Sequence, residues 1–239
     1  MKSPNIISTT GRIPVMAAPT PMPVKPDSEI GESITRSVPN SSTKPLSTLK
    51  GVPASATSSP IIKTDSNSYS FDKAVIACGA FSKKLTDQVN EKIPLDTERG
   101  YHVHFKGHDH LLSRPVIFLN RGFGITPMEQ GLRVVGTVEF GGLDNPLSKK
   151  RVLNLVNNAK YLFPELSEHC DEWLGFRPSL PDFLPVIGPS KNYKNLFYAF
   201  GHHHLGWTLG AITGKIIAGM LAGENTNLDL TPYNSLRFS

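Results

Sequence analysis

Two cysteines in 239 residues, Cys78 and Cys170, are too few and too distant for a disulfide framework, and no CxxC pair offers a zinc ribbon. A reducing compartment, the cytoplasm, is the expected setting. No run approaches the ~18 consecutive apolar residues of a membrane span. The most hydrophobic stretch, TLGAITGKIIAGMLAG, is interrupted by Lys215 and by glycines, which predicts a packed helix. A G-x-S-x-G elbow is absent, which removes serine-hydrolase chemistry. Charge of one sign is also scarce. The net charge of +5 comes from 25 basic residues set against 20 acidic ones, and the Lys pairs at 83–84 and 149–150 form no stripe. That spacing predicts a solvated basic surface and no nucleic-acid partner.

Aromatics are missing altogether from residues 1–60, which hold ten of the twenty prolines. Runs such as APTPMPVKP and SVPNSSTKP cannot bury enough apolar surface to offset ordering entropy, so this segment is expected to be a disordered tail. Its start is basic, with no acid before Asp27, as in targeting segments, but its apolar stretches are short and broken by proline.

From residue 61 the pattern becomes that of a folded α/β (α+β) chain. Ala74–Cys78 is a short apolar run that meets Gly79, which predicts a buried strand ending in a tight turn. YHVHF (101–105), PVIFL (115–119) and LRVVGTVEF (132–140) alternate between glycine-bearing turns and predict antiparallel strands with one wet face. Val152, Leu155, Val156, Ala159 and Leu162 recur at helical spacing after Ser148 and before Pro164. NLFYAF predicts a further strand, then a turn, GHHHLG, then a helix from about Trp207 to Leu221 closed by Gly223.

His202, His203 and His204 are consecutive, so their side chains diverge and cannot readily converge on one ion. His102 with His104 share a strand face, and His108 with His110 could join them, yet no Cys or carboxylate completes a set. No metal is expected. The residues themselves leave the triplet as solvated or core-edge histidines or as the rim of a cofactor pocket, where the start of the following helix would present N–H groups and positive charge.

Six segments in colinear order resemble one known family: IIKTDSNSYSFDKAVIACGAFS, IPLDTERGYHVHF, GLRVVGTVEFGG, WLGFRPSLPDFLPVIGPS, NLFYAFGHHHLGWTLGAITGKIIAGMLAG and the closing DLTPYNSLRF. Together they look like the C-terminal half of D-amino-acid oxidase-type flavoproteins, nearest to the bacterial D-amino-acid dehydrogenase small subunit, with glycine and sarcosine oxidases more distant. The resemblance implies the C-terminal part of an FAD-binding doubly wound fold (61–92 and 173–239) around an antiparallel-sheet substrate domain (93–172). It implies FAD as cofactor and an amino acid as substrate, whose Cα hydride is removed to give an imine and then a 2-oxo acid and ammonia. The flavin would carry this chemistry, with no catalytic side chain.

Carried over residue by residue, Cys78, Gly79 and Ala80 match the strand-end turn against FAD. Gly201, His202, His203, His204, Leu205, Gly206, Trp207 and Thr208 match the loop and helix start beside the isoalloxazine. Arg177 matches the arginine that clamps the substrate carboxylate, a task suited to a planar guanidinium with two parallel N–H donors. Tyr101, His102 and His204 are the other implied substrate contacts. The electron acceptor would be oxygen, or a quinone reached at the surface of the inner membrane. One departure stands out, since no strand–G-x-G-x-x-G–helix unit for the ADP half of FAD is found. Gly122 and Gly124 lie in a predicted hairpin. The chain therefore reads as a truncated body with weak FAD binding, and the competing expectation is an inactive fragment, or a subunit that takes its dinucleotide-binding half from a partner chain.

Overall fold

Val103 and Phe105 are wholly buried, and the strand that carries them is the centre of the larger sheet. In the computed structural model, which describes residues 59–64 and 67–238, the elements run in the following order. A hairpin of β1 (Ile61–Lys63) and β2 (Ser68–Ser70) leads to β3 (Ala74–Ile76) and a short α1 (Ser82–Thr86). Next come β4 (Asp96–Phe105), β5 (Val116–Phe118), β6 (Phe123–Met128), β7 (Gly131–Phe140) and α2 (Lys149–Leu162). β8 (Cys170–Ser179), β9 (Val186–Pro189), β10 (Leu196–Phe200) and α3 (Gly206–Ala222) complete the chain. The predicted tail, up to residue 58, lies outside the described residues.

The larger sheet has the order β5-β6-β7-β4-β8, and each of its neighbouring pairs is antiparallel. Its buried face carries Tyr101, Val103, Phe105, Phe123, Ile125, Leu132 and Val134, which pack against Val152, Leu155, Val156 and Ala159 of α2. Burial of each such aliphatic side chain contributes about 1.5–3 kcal/mol. This is the core that the helical spacing of residues 152–162 anticipates. The whole of β8 belongs to this sheet, because its register with β4 runs from Cys170 to Ser179. The expected boundary at residue 172 therefore falls inside a strand, and the antiparallel unit extends to Ser179.

The second sheet, β3-β10-β9, holds the parallel pair β3 and β10, with β9 antiparallel on the far side. Alternation along β10 sends Leu196, Tyr198 and Phe200 into one core with Ile76, Leu85 and Val186, while Phe197 packs with Ile187 and Ile217 of α3. The C-terminus of α3 ends at Gly223 with φ 77°, and Lys73 Nζ donates to the Leu221 carbonyl at 2.6 Å, a charge-favourable cap. The other side of α3 presents Thr208, Ala211, Ile212, Ala218 and Ala222 outward. It is a helix apolar on nearly all sides, interrupted only by Lys215. Among the described residues no helix is long and apolar enough to cross a membrane.

Candidate active site

Because β3 and β10 run parallel in the register Tyr198↔Ile76, the segments that follow them leave the sheet side by side. The carboxyl ends of adjacent parallel strands are where open α/β sheets place ligands. After β3, Cys78 accepts from the Phe81 N–H at 3.0 Å and donates its own N–H to Ser82 Oγ at 3.1 Å, while Gly79 adopts φ 54°. Ala80 is buried behind this turn. Burial pushes the Cys78 thiol above its ordinary range, partly opposed by a backbone hydrogen bond at Ala77. The thiol is thus protonated at neutral pH and is no nucleophile.

After β10, Gly201 adopts φ 87°, and a Cβ there would lie 2.5 Å from Leu180 Cδ1, so glycine is required twice over. The histidines do diverge. His202 turns inward, its Nε2 2.9 Å from Thr213 Oγ1 on α3, and burial lowers its basicity, so it is a neutral strap between loop and helix. His203 sits at φ 54° with its N–H donated to the Pro178 carbonyl at 2.9 Å, which fastens the loop to the end of β8. His204 is exposed and touches His203 through the two Nδ1 atoms. Among the described residues no group of three His, Cys, Asp or Glu side chains is placed to hold a metal.

α3 then begins at Gly206 without a side-chain cap, and the N–H groups of Gly206, Trp207 and Thr208 have no partner among the described residues. Leu205 and Thr208 are exposed, and Trp207 is 98% exposed. Gly206 is helical, and a Cβ built on it meets only His202 Cβ at 3.8 Å. Protein packing does not explain this glycine. Open space over uncapped N–H donors suits a flat group with an electronegative edge.

The face of the antiparallel sheet away from α2 adjoins this loop. Glu98, Gly100, His102 and His104 alternate onto that face, with Arg177, Gly175 and Trp173 opposite the first three in β8. The Arg177 guanidinium lies over Gly100, where a Cβ would come within 2.4 Å of Nη2, and the Trp173 ring lies over Gly175 in the same way. Arg177 is half-buried, and its guanidinium has no hydrogen-bond or ion-pair partner among the described residues. His102 stacks on Trp173 with ring centroids 4.8 Å apart. Burial first, then the nearby Arg133 and His104 charges, push its pKa down to about 4.

Tyr101 lies elsewhere, and the expectation that it contacts substrate is corrected. Its side chain points to the α2 face, only 2% exposed, and its hydroxyl donates to Glu139 while accepting from the Ser148 N–H at 3.2 Å. Glu139 also pairs with Arg99 and Arg151, each at 3.2 Å, so this is a structural network beneath the sheet. Sequence reasoning passed over Glu98, whose Oε1 lies 2.8 Å from His203 Nε2, and Phe183, at φ 59° with its ring edge-on to His203. Only tertiary pairing brings these two to the site. Phe183 does carry a weak clue, since it follows Pro-Asp where a turn favours glycine.

Two parallel strand ends, an uncapped helix start and a sheet face with an unpartnered guanidinium are thus gathered on one side of an α/β chain. The family model described as FAD dependent oxidoreductase (DAO) matches residues 48–220, and the chain belongs to that family. A D-amino-acid oxidase of Bradyrhizobium diazoefficiens is 35% identical over 182 residues, covering 74% of this chain and 43% of that protein. A D-amino acid dehydrogenase of Granulibacter bethesdensis is 33% identical over 162 residues, covering 66% and 38%. The crystal structure of glycine oxidase from Geobacillus kaustophilus superposes with TM-score 0.66 at 28% identity, covering 74% of this chain and 48% of that one. The chain spans less than half the length of these relatives. FAD is the family's cofactor, and the residues present fit it where Gly206 leaves space and the first N–H groups of α3 stand uncapped.

Proposed function

We propose that the chain provides the substrate side and the isoalloxazine-facing side of an FAD-dependent oxidoreductase that deaminates a D-amino acid. The observation that carries this reading is the unpartnered Arg177 guanidinium on the sheet face beside the uncapped start of α3, in a chain of the FAD-dependent oxidoreductase family. When bound, FAD would supply a two-electron acceptor for the Cα hydride, leaving an imine that water would hydrolyse to a 2-oxo acid and ammonia. The protein supplies placement and electrostatics. Arg177 takes the substrate carboxylate through two N–H donors, which fixes the direction of the Cα–H bond. His102, neutral and stacked on Trp173, and His204 at the loop tip flank the substrate. The turns at Cys78–Ala80 and Gly201–Leu205 would support the cofactor from below. The uncapped N–H groups of Gly206, Trp207 and Thr208 would hold a flavin edge that gains negative charge on reduction. The electrons leave to oxygen, or to a quinone met by a peripheral contact with the inner membrane on its cytoplasmic side.

The test is to titrate FAD into the purified protein and follow Trp fluorescence, since Trp207 is 98% exposed and a ring stacked beside it would quench it. D-alanine should then bleach the flavin bands under anaerobic conditions. Protein that retains no flavin, or bleaching that is equal with L-alanine, would overturn the reading.

A second reading rests on the outward apolar side of α3 and on β3, whose outer edge has no strand partner among the described residues. On this reading both surfaces take a dinucleotide-binding half supplied by a separate polypeptide, and the chain alone is inactive. Flavin retention that appears only after the N-terminal half of a D-amino acid dehydrogenase is added would favour it, and retention by the chain alone would exclude it.

A further inference from the structure

We propose that His203 is a positioning residue that holds Glu98 away from Arg177 and so keeps the guanidinium free for a carboxylate. The inference rests on the reading of Arg177 given above. Glu98 and Arg177 are directly opposite in the β4–β8 ladder, and directly opposite side chains have Cβ atoms about 5 Å apart on one face. Opposite charges so placed on a half-buried surface would normally join. They do not. Glu98 Oε1 instead lies 2.8 Å from His203 Nε2, and the guanidinium lies across the bare backbone of Gly100. The Nε2 atom is poorly aligned for a hydrogen bond to Glu98, yet it has no other partner. The carboxylate thus lies against the imidazole and makes no ion pair with the guanidinium opposite it.

The placement of His203 is set from several sides. Its N–H is tied to the Pro178 carbonyl, next to Arg177 in the chain, at 2.9 Å. Phe183 packs edge-on against its ring at a centroid distance of 5.2 Å, and the Nδ1 atom meets His204. His203 and Phe183 both hold positive φ, 54° and 59°, in a region that non-glycine residues rarely occupy. Two adjoining strained residues persist only where their surroundings over-determine them, a pattern that clusters at functional sites. Their shared product here is the direction of one imidazole, and the imidazole faces Glu98.

If Glu98 is released it competes with substrate for Arg177. Were nine-tenths of the protein to adopt that internal pair, the apparent affinity for a carboxylate would fall about tenfold. The experiment measures the Kd of D-alanine calorimetrically, and KM and kcat, for FAD-loaded wild type, His203→Ala, Glu98→Gln, His203→Ala/Glu98→Gln and Arg177→Ala. His203→Ala should raise Kd and KM about tenfold or more, with KM carrying more of the loss in kcat/KM than kcat does. Its crystal structure should show the Glu98 carboxylate on Arg177. Removing the competitor in the double variant should restore Kd to the wild-type range, and Glu98→Gln alone should bind as well as wild type or better. A double variant no better than His203→Ala, or a tenfold weakening in Glu98→Gln alone, would overturn the proposal. The underlying reading fails separately, if Arg177→Ala binds D-alanine like wild type.

Discussion

Gly100→Ala tests the placement of Arg177 without removing its charge. The added Cβ would lie 2.4 Å from Nη2, 2.7 Å from Cζ and 3.2 Å from Nη1 of Arg177, whereas ordinary contact begins near 3.4 Å. The guanidinium is the far end of a flexible side chain, so it moves and the strand stays. Restoring contact distance requires a displacement of about 1 Å, enough to misalign two parallel N–H donors and to cost up to about 100-fold in kcat/KM. Stability should move the other way. Glycine in a strand interior is less favourable than alanine by about 0.5–1 kcal/mol, so thermal unfolding should be unchanged or slightly higher. The assay is steady-state kinetics on a D-amino acid with FAD present, paired with a melting curve. Unchanged kcat/KM with an unchanged melting point would refute the argument, since it would show that the guanidinium over Gly100 has no part in binding.

Arg177→Ala itself should cost about 2–5 kcal/mol in kcat/KM, the range for truncating one partner of a buried charged contact, with KM carrying the change. Gly206→Val should abolish flavin retention measured by absorbance while the melting point stays put, because among the described residues beyond the helix's own backbone the new Cβ meets just His202 Cβ at 3.8 Å. Retained flavin would remove the ring from that position. Cys78 should label with a thiol reagent at pH 7.5 more slowly than Cys170, since its thiol is the more deeply buried; both thiols are pushed upward, by burial first and, at Cys170, by Asp171 as well. Equal rates would show that the turn opens. The folded-state pKa of His102, about 4, lies below its ordinary 6.5, so the unfolded chain binds more protons between these values. The associated stability is complete above pH 6.5 and is lost as pH falls toward 4. His102→Gln should flatten that limb of a melting-temperature profile, and an unaltered slope would assign the loss to other groups.

Local pattern revealed those elements whose own residues determine them. The spacing Val152-Leu155-Val156-Ala159 specifies α2 because one face must be apolar, and Ala74–Cys78 ends where Gly79 turns. β8 was not legible, since CDEWLGFRPS lacks alternation and becomes a strand only through its pairing with β4 at eight positions. The same holds for the site. YHVHF announces two faces, and the apolar members Tyr101, Val103 and Phe105 are the set that seeks the core, which leaves the histidines for the outer face. A functional expectation for Tyr101 overrode that simpler physical rule. Glu98 enters only through register, because its position opposite Arg177 depends on how two strands far apart in sequence align. The turn at Gly201 was readable, whereas the inward rotation of His202 depends on Thr213, one helix further on.

The parallel pairing of β3 with β10 joins segments that are distant along the chain, from Ile76 to Leu196, whereas β6 and β7 are joined by a tight turn and α2 follows soon after. Closing so long a loop brings a large entropic cost before any contact compensates it, and such long-range pairings slow folding. The β5-β6-β7 part of the antiparallel sheet with α2 can therefore assemble early from nearby partners, whereas the ends of β3 and β10 meet only after a long loop closes. A partly folded chain on this route would hold the β5-β6-β7 sheet with α2 before the turns at Gly79 and Gly201 are brought side by side, so closure of β3 on β10 would mark completion of the fold.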